Sequence, residues 1–450
     1  MAAPNPTTIA QMNGLYKEAY AEGIVGLIPD PAYLVKNIMF GEAERVGNLY
    51  HQPVILTREA GMSYNIPGAG AYPLAPAVPM TMKDAQLQGS QTTLRSQVPY
   101  DTVARSIGNA KAFKKATLPI IEMNLESHAK RLELLLLYGQ SATGLGQTQA
   151  SGSAVVDGTH EKLQITAATW AVGIWAGEEG SKVSFYRDDT NALVGGAGDG
   201  DKWFTVSSID PDNKTITVVG TSAGCTALHT ADQAAALDIY FYGTTGLSAT
   251  DNGPGQASSW STTNSYEMAG IDRIAINNGT LFNIPANTYT LWKSSTYSAS
   301  SGQLTMAKII SAVNKAVGKG GLKEKVVALV YTDTWPNLMT DLAALRMFDD
   351  SYQEGEVVNG FETIRYIGAN GEIEVVPHSC VKGGEAFIAP LKRFKRVGAT
   401  EITFNTPGRG DEIFLQIPDY NGFEMRSYAD QAVICTTPAK CVKITNIVNV

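Results

Sequence analysis

Apolar residues recur along this chain with two different periods, and the switches between them mark out its parts. From Thr117 to Tyr138 the spacing is helical: Ile121, Leu125, Leu132 and Leu136 form one stripe. Thr117 is placed to cap this helix, Pro119 falls in its first turn and Gly139 stops it. Glu122, Glu126, Lys130, Arg131 and Glu133 are then expected on its solvated faces. A second stripe, Met306, Ile309, Ile310, Val313 and Val317, ends at Gly318, Gly320 and Gly321. Soon after it, Val326 to Val330 is apolar without a break, which predicts a buried central strand. Thr334, Trp335 and Pro336 open a third helix, carrying Leu338, Leu342 and Leu345.

Strand-like runs fill much of the rest. Val54 to Ile66 and Thr92 to Ile107 flank a segment, Pro67 to Pro79, too rich in Pro and Gly for core structure. Two strands joined by so long a tip predict a projecting hairpin that buries little within its own subunit, so a second chain is its natural resting place. Leu163 to Thr166, Val183 to Tyr186, Trp203 to Ile209, Thr215 to Val219 and Asp238 to Tyr242 predict a small all-β module. The module is expected to fold around its own core, with Trp203 and Val218 inside, and to sit on the outer side of the subunit. Asp251 to Thr263 reads as a connector. Asn370-Gly371, between Ile364 to Ile367 and Ile373 to Val376, predicts a hairpin. Phe387, Ile388, Ile402, Phe404, Ile413, Phe414 and Leu415 continue the strands. The last stretch, Tyr428 to Ile447, reads as two short strands around Pro438, built into a sheet. This C-terminal region is α+β with one expected core.

The chain has 450 residues, a length typical of about three domains. Its 44% of apolar residues excludes disorder for most of it. A net charge of −8 argues against a dedicated nucleic-acid binder, which needs an excess of Lys and Arg. Met1 to Thr8 lacks the charged start and apolar run of a signal peptide, and no apolar stretch approaches a membrane span. Cys225, Cys380, Cys435 and Cys441 have neither zinc spacing nor disulfide density, which fits synthesis in a reducing cytosol.

Catalytic chemistry needs converging polar groups, and the sequence offers none. His51, His128, His160, His229 and His378 are scattered, with no pair at helical metal spacing. His128 is expected on a polar face or at a subunit contact. Neither a Gly-x-Ser-x-Gly elbow nor a phosphate loop is present. Asp188, Asp189, Asp199 and Asp201 cluster near a Gly loop and could hold calcium, but lack the EF-hand order; turn carboxylates are the simpler reading. Arg409-Gly410-Asp411 is an adhesion tripeptide in what reads as a surface turn. Asn213-Lys214-Thr215 and Asn278-Gly279-Thr280 are glycosylation-like, yet without a secretory signal they carry little meaning. No catalytic, cofactor-binding or metal residue is assigned.

The order of parts is arm, projecting hairpin, long helix, β insert and α+β body. In that order, and in the stretches Tyr428 to Ile447, Met268 to Asn278, Thr334 to Leu338 and Gly383 to Ile388, the chain resembles the major capsid proteins of tailed phages. The resemblance covers nearly all of it apart from about Ser151 to Gly246. It implies an α+β, Hong Kong 97 phage-like capsid fold with a small all-β insertion domain. Residues 1–50 would be the N-terminal arm, 51–115 the E-loop hairpin and 116–150 the spine helix of the peripheral domain. Residues 151–246 would be the insertion domain, and 247–450 the axial domain with the remaining peripheral strands.

The function so implied is non-enzymatic, without cofactor: self-assembly into hexamers and pentamers of an icosahedral phage head enclosing double-stranded DNA. The protein would be made in the host bacterial cytoplasm and reside in the virion. Its partners would be copies of itself, a separate scaffolding protein, a portal and a decoration protein, with DNA contacted weakly and no membrane. A separate scaffold is expected because only about fifty residues precede the hairpin, without coiled-coil heptads. An encapsulin-like shell holding enzyme cargo is the alternative of related fold. A β-rich surface or carbohydrate-binding protein is the alternative of a different class.

Overall fold

The computed structural model describes residues 32–42, 49–68, 70–100, 110–195, 198–244, 266–276, 279–339, 364–368, 371–405, 413–417 and 421–449. The early arm, the 251–263 connector, Leu342, Leu345, Asn370 and the Arg409-Gly410-Asp411 turn lie outside these residues.

A six-stranded sheet forms the centre of the C-terminal half, in the order Ser295–Gly302, Val442–Ile447, Ala386–Ala389, Val326–Val330, Gly371–Pro377, Ile364–Gly368. Val326–Val330 is wholly buried because both its faces are covered. Val326, Ala328 and Val330 pack with the helix Met306–Gly320, whereas Val327 and Leu329 point into a second, larger cluster with the long helix and the insert. The region therefore has two cores, one on each face of the sheet, where one was expected. Thr305 caps Met306–Gly320 by accepting the Lys308 amide, and Gly321, in the left-handed region at φ 61°, ends it. The expected hairpin is present: Ile364–Gly368 pairs antiparallel with Gly371–Pro377.

A five-stranded sheet is organised by one 14-residue strand, Gly422–Cys435. It pairs with Phe394–Thr403, with Phe414–Gln416 and, along ten residue pairs from Gly422↔Pro99 to Gln431↔Ser90, with Ser90–Pro99. The two C-terminal strands thus do not form a unit around Pro438. Gly422–Cys435 belongs to this sheet, and Val442–Ile447 to the other.

The long helix runs from Ala110 to Tyr138, 29 residues or about 43 Å. Pro119 lies well inside it and not in its first turn, so Thr117 is no cap. The expected stripe is also rotated: Leu125 is exposed, while Asn124, His128, Lys130 and Glu133 are buried along with Leu132 and Leu136. Polar residues on a surface stripe look solvated in sequence; here strands and the insert cover them. No described helix is long and apolar enough to cross a membrane.

A second six-stranded sheet, all antiparallel, comprises Leu237–Phe241, Lys182–Arg187, Phe204–Asp210, Thr215–Val219, His160–Gln164 and Ala154–Asp157 in spatial order. The helix Ser222–Ala234, capped by Thr221, packs on it and was not foreseen, because its buried side is made of small residues around Leu228. Val218 is buried as expected, but Trp203 is only half-buried, edge-on to Tyr242 with the Lys182 ammonium 3.7 Å from its ring centroid. Trp170, Trp175, Phe185 and Phe204 fill the core instead. That core is continuous with Leu132–Leu137 of the long helix and Phe387 of the C-terminal sheet. Backbone bonds tie the insert down: Gly383 N donates to Trp170 O at 3.0 Å, and Gly384 N to Ala168 O at 2.8 Å.

Candidate functional site: the hairpin and its anchorage

Leu49–Ile55 and Met82–Gln88 form the hairpin stem, paired from Leu49↔Gln88 to Ile55↔Met82. The pairing differs from the expected one. Thr92 to Ile107 was read as the returning strand, yet Ser90–Pro99 crosses to Gly422–Cys435, and residues 101–109 lie outside the described residues. The base of the stem is fixed by Tyr50 and Leu87, buried against Ala432 and Ile434.

Beyond Ile55 sheet pairing gives out. One bridge, Ala60↔Val78, and the bonds from Thr81 N to Thr57 Oγ1 (2.8 Å) and Ala75 N to Ser63 Oγ (2.6 Å) hold the tip together. Its apolar side chains face outward: Met62 is 74% exposed, Tyr64 83%, Ile66 78% and Leu74 80%. Pro67, Pro73, Pro76 and Pro79 stiffen the segment without offering ladder donors. Four large apolar side chains thus lie exposed on one Pro-rich tip.

The end of the arm is anchored to the body of the same subunit. The short helix Tyr33–Asn37 is held at both ends by opposite charges from the body. At its start, Glu133 accepts the Leu34 amide at 2.7 Å and the Val35 amide at 2.9 Å. At its end, Arg396 donates to Val35 O and Ile38 O, both at 2.9 Å. The adjoining strand Phe40–Glu42 then pairs parallel to Phe394–Thr403. His378 Nε2 lies 3.0 Å from Glu133, and its Nδ1 accepts the Cys380 amide, which leaves the ring proton on Nε2, facing Glu133. Sequence reasoning missed Glu133 and Arg396, since their partners stand roughly 100 and 360 residues away.

The long helix is tied sideways as well. Glu178 bonds Lys130 at 2.9 Å and Arg131 at 2.8 Å, with the Arg131 guanidinium lying over the Phe241 ring. His128, expected on a polar face or at a subunit contact, is instead buried within the subunit between the Thr92 and Ser427 hydroxyls, each 2.8 Å away. Desolvation lowers its pKa to about 4. Lys443 joins Asp272 (2.6 Å) and Glu385 (2.5 Å) under the C-terminal sheet. Buried Lys382 donates to Thr143 Oγ1 and Gly144 O. Lys443 is thus matched by two carboxylates, while Lys382 is satisfied by neutral oxygens. A cavity of about 410 Å³ lies between the long helix, the Ser90–Pro99 strand and the insert, lined by His128, Arg131, Lys182 and Tyr242 among others. His128 and Arg131 already have partners there, so it offers no converging reactive set.

The remaining sequence candidates disperse. Asp189 is taken by Arg187, and Asp201 by the Gly198 amide and the Thr221 hydroxyl. Among the described residues no three His, Cys, Asp or Glu side chains are grouped to hold a metal. His51 pairs with Asp84, His160 with Asp157 and His229 with Glu161, so each of the three already has a carboxylate partner.

No protein family matches the sequence, and no curated protein does. Solved structures do. The capsid asymmetric unit of cyanophage A-1(L) is similar over 98% of this chain and 99% of its own, with a TM-score of 0.51 at 12% identity. A structure from Mycobacterium phage Bobi matches over 97% and 98%, with a TM-score of 0.45 at 12% identity. The SrpI encapsulin of Synechococcus elongatus matches over 98% and 96%, with a TM-score of 0.40 at 8% identity. With the hairpin, the long helix and the two sheets arranged as described, and a capsid subunit matched end to end, the chain has the Hong Kong 97 phage-like capsid fold.

Proposed function

We propose that the protein is a major capsid protein, which self-assembles into hexamers and pentamers of an icosahedral phage head around double-stranded DNA. One observation carries the reading: a Pro-rich tip with exposed apolar side chains belongs to a subunit that has the capsid fold. Fully burying one exposed Leu, Ile or Met against a neighbour yields about 1.5–3 kcal/mol. Several such residues per tip, repeated over many copies, hold a shell together while each contact stays weak enough to correct. The arm, clamped between Glu133 and Arg396, is a second segment placed to lead into a neighbouring subunit. On this reading the hairpin between Leu49 and Gln88, shorter than the expected 51–115, supplies the inter-subunit contact and residues 151–246 the insertion domain.

The net charge of −8 supports a wall that DNA slides past, because phosphate affinity grows with the number of neutralised phosphates. A separate scaffolding protein, a portal and a decoration protein complete the proposed partners. The virion is the proposed location. The test is electron microscopy of particles formed by the purified protein with its neighbouring genes. DNA-filled icosahedral heads support the reading; small shells filled with enzyme would replace it with an encapsulin-like compartment, and no shells at all would overturn both.

A further inference from the structure

Cys435 is the last residue of the strand Gly422–Cys435, and Cys441 stands just before Val442–Ile447. The two thiols therefore flank the turn at which the chain leaves the five-stranded sheet for the six-stranded one. Their Sγ atoms lie 3.8 Å apart and both side chains are wholly buried. A disulfide needs about 2.05 Å, so closing the pair asks the two sulfurs for a combined movement of under about 2 Å.

The turn keeps the thiols facing one another. Cys441 N donates to Pro438 O at 2.9 Å, Thr436 N to Arg393 O at 3.2 Å, and Lys440 Nζ reaches Glu324 at 2.7 Å. Metal binding does not account for the pair, since no third ligand joins it among the described residues. The neighbouring Cys435 thiol and burial hold Cys441 well above the usual thiol range. While the turn is closed, burial shields both sulfurs from solvent and Cys441 stays a thiol.

We propose that Cys435 and Cys441 form a reversible disulfide site, thiols under reducing conditions and an intrachain crosslink under oxidising ones, which staples the junction of the two sheets. The oxidant is a small-molecule disulfide that reaches the sulfurs when the turn opens. The thiolate of one cysteine attacks it, forming a mixed disulfide and releasing one small thiol. The second cysteine then attacks its neighbour's sulfur and displaces the other small thiol. Two protons and two electrons leave in the two small thiols, and one protein S–S bond remains.

The full-length protein is equilibrated at pH 8 in mixtures of oxidised and reduced glutathione, with mild urea to permit local opening. A parallel series refolds the reduced, unfolded chain in the same mixtures. The expected result is a mass lower by about 2 Da, and loss of two of the four thiols to alkylation. Trypsin should leave Ser427 to Lys440 joined to Cys441 to Lys443, with Cys225 and Cys380 still alkylated. Cys435→Ser and Cys441→Ser should each abolish the link, and the crosslinked wild type should unfold more slowly than either. Retention of all four thiols in both series, or glutathione adducts in place of the link, overturns the proposal.

Discussion

Glu133, buried midway along the C-terminal half of the long helix, accepts the backbone amide of Leu34 at 2.7 Å, ninety-nine residues earlier in the chain. A carboxylate on one helix thereby supplies the missing partner at the start of another, which is too short to be stable alone. His378 braces the same carboxylate, its Nε2 reaching the oxygen that accepts the Leu34 amide. The arm segment owes its place to this residue and to Arg396.

Glu133→Ala leaves two amides and the His378 Nε2 proton without their acceptor inside the core. The expected cost is about 3–5 kcal/mol of unfolding free energy, as for breaking a buried polar network. Denaturant unfolding measures it, and limited proteolysis should show earlier cutting between residues 32 and 42. Unchanged stability together with an unchanged digestion pattern would mean that the clamp is ornamental.

Tyr64 and Ile66 touch little of their own subunit, so the double substitution Tyr64→Asp, Ile66→Asp should leave the subunit's stability within about 0.5 kcal/mol of wild type. Assembly should be lost, because two charges would have to be desolvated at every tip contact. Sedimentation of the variant reads this out. Normal shells would remove the hairpin tip from the assembly contact.

His128 gives stability a dependence on pH. Its folded-state pKa, lowered to about 4 by desolvation, lies below the value of 6.5 for an exposed histidine. The unfolded chain therefore binds this proton first as pH falls. The contribution is full above pH 6.5 and is lost as pH drops toward 4. His128→Gln should flatten the stability curve in that window, measured by urea unfolding at a series of pH values. An equally steep curve in the variant would assign the dependence to other groups.

Glu267 acts in the opposite sense. Desolvation raises its pKa to about 7 from 4.5, so the folded protein keeps a proton that the unfolded chain has released. Its contribution is present below pH 4.5 and is lost as pH rises to 7. Glu267→Gln retains an oxygen for the Gln140 amide, which Glu267 accepts at 3.0 Å, and removes the charge. The variant should be more stable than wild type at pH 8 and equal to it near pH 4. A loss of stability at pH 8 would contradict this.

Within the insert, Phe204→Ala should cost about 3–5 kcal/mol, since Phe204 is fully buried edge-on to Phe185. Trp203→Ala should cost clearly less, because Trp203 is only half-buried beneath Lys182. Thermal unfolding of the two variants ranks them, and the reverse order would place the core on the wrong side of the strand.

Much of the fold was legible in local pattern. The unbroken apolar run Val326 to Val330 could only be a strand covered on both faces, and the Met306 to Val317 stripe with its trailing glycines could only be a capped amphipathic helix. The Pro-rich segment after Ile66 could not enter a sheet interior, so its projection followed from missing backbone donors. These features depend on residues within a few positions of one another, and the chain states them directly.

Pairing across distance was decided only by the tertiary structure. Ser90–Pro99 has the alternation of a strand, but that alternation does not say whether it returns to Leu49–Ile55 or crosses to Gly422–Cys435; the long strand's ten-residue match decided it. Trp203 and Phe204 are adjacent, but the strand begins only at Phe204, so where it starts and which of its faces is covered settled which aromatic is core. Lys130 and Glu133 read as solvated charges because their partners, Glu178 and His378, are brought to them by packing alone. A charge can be buried only where a partner waits, and where the partner waits is a property of the folded chain.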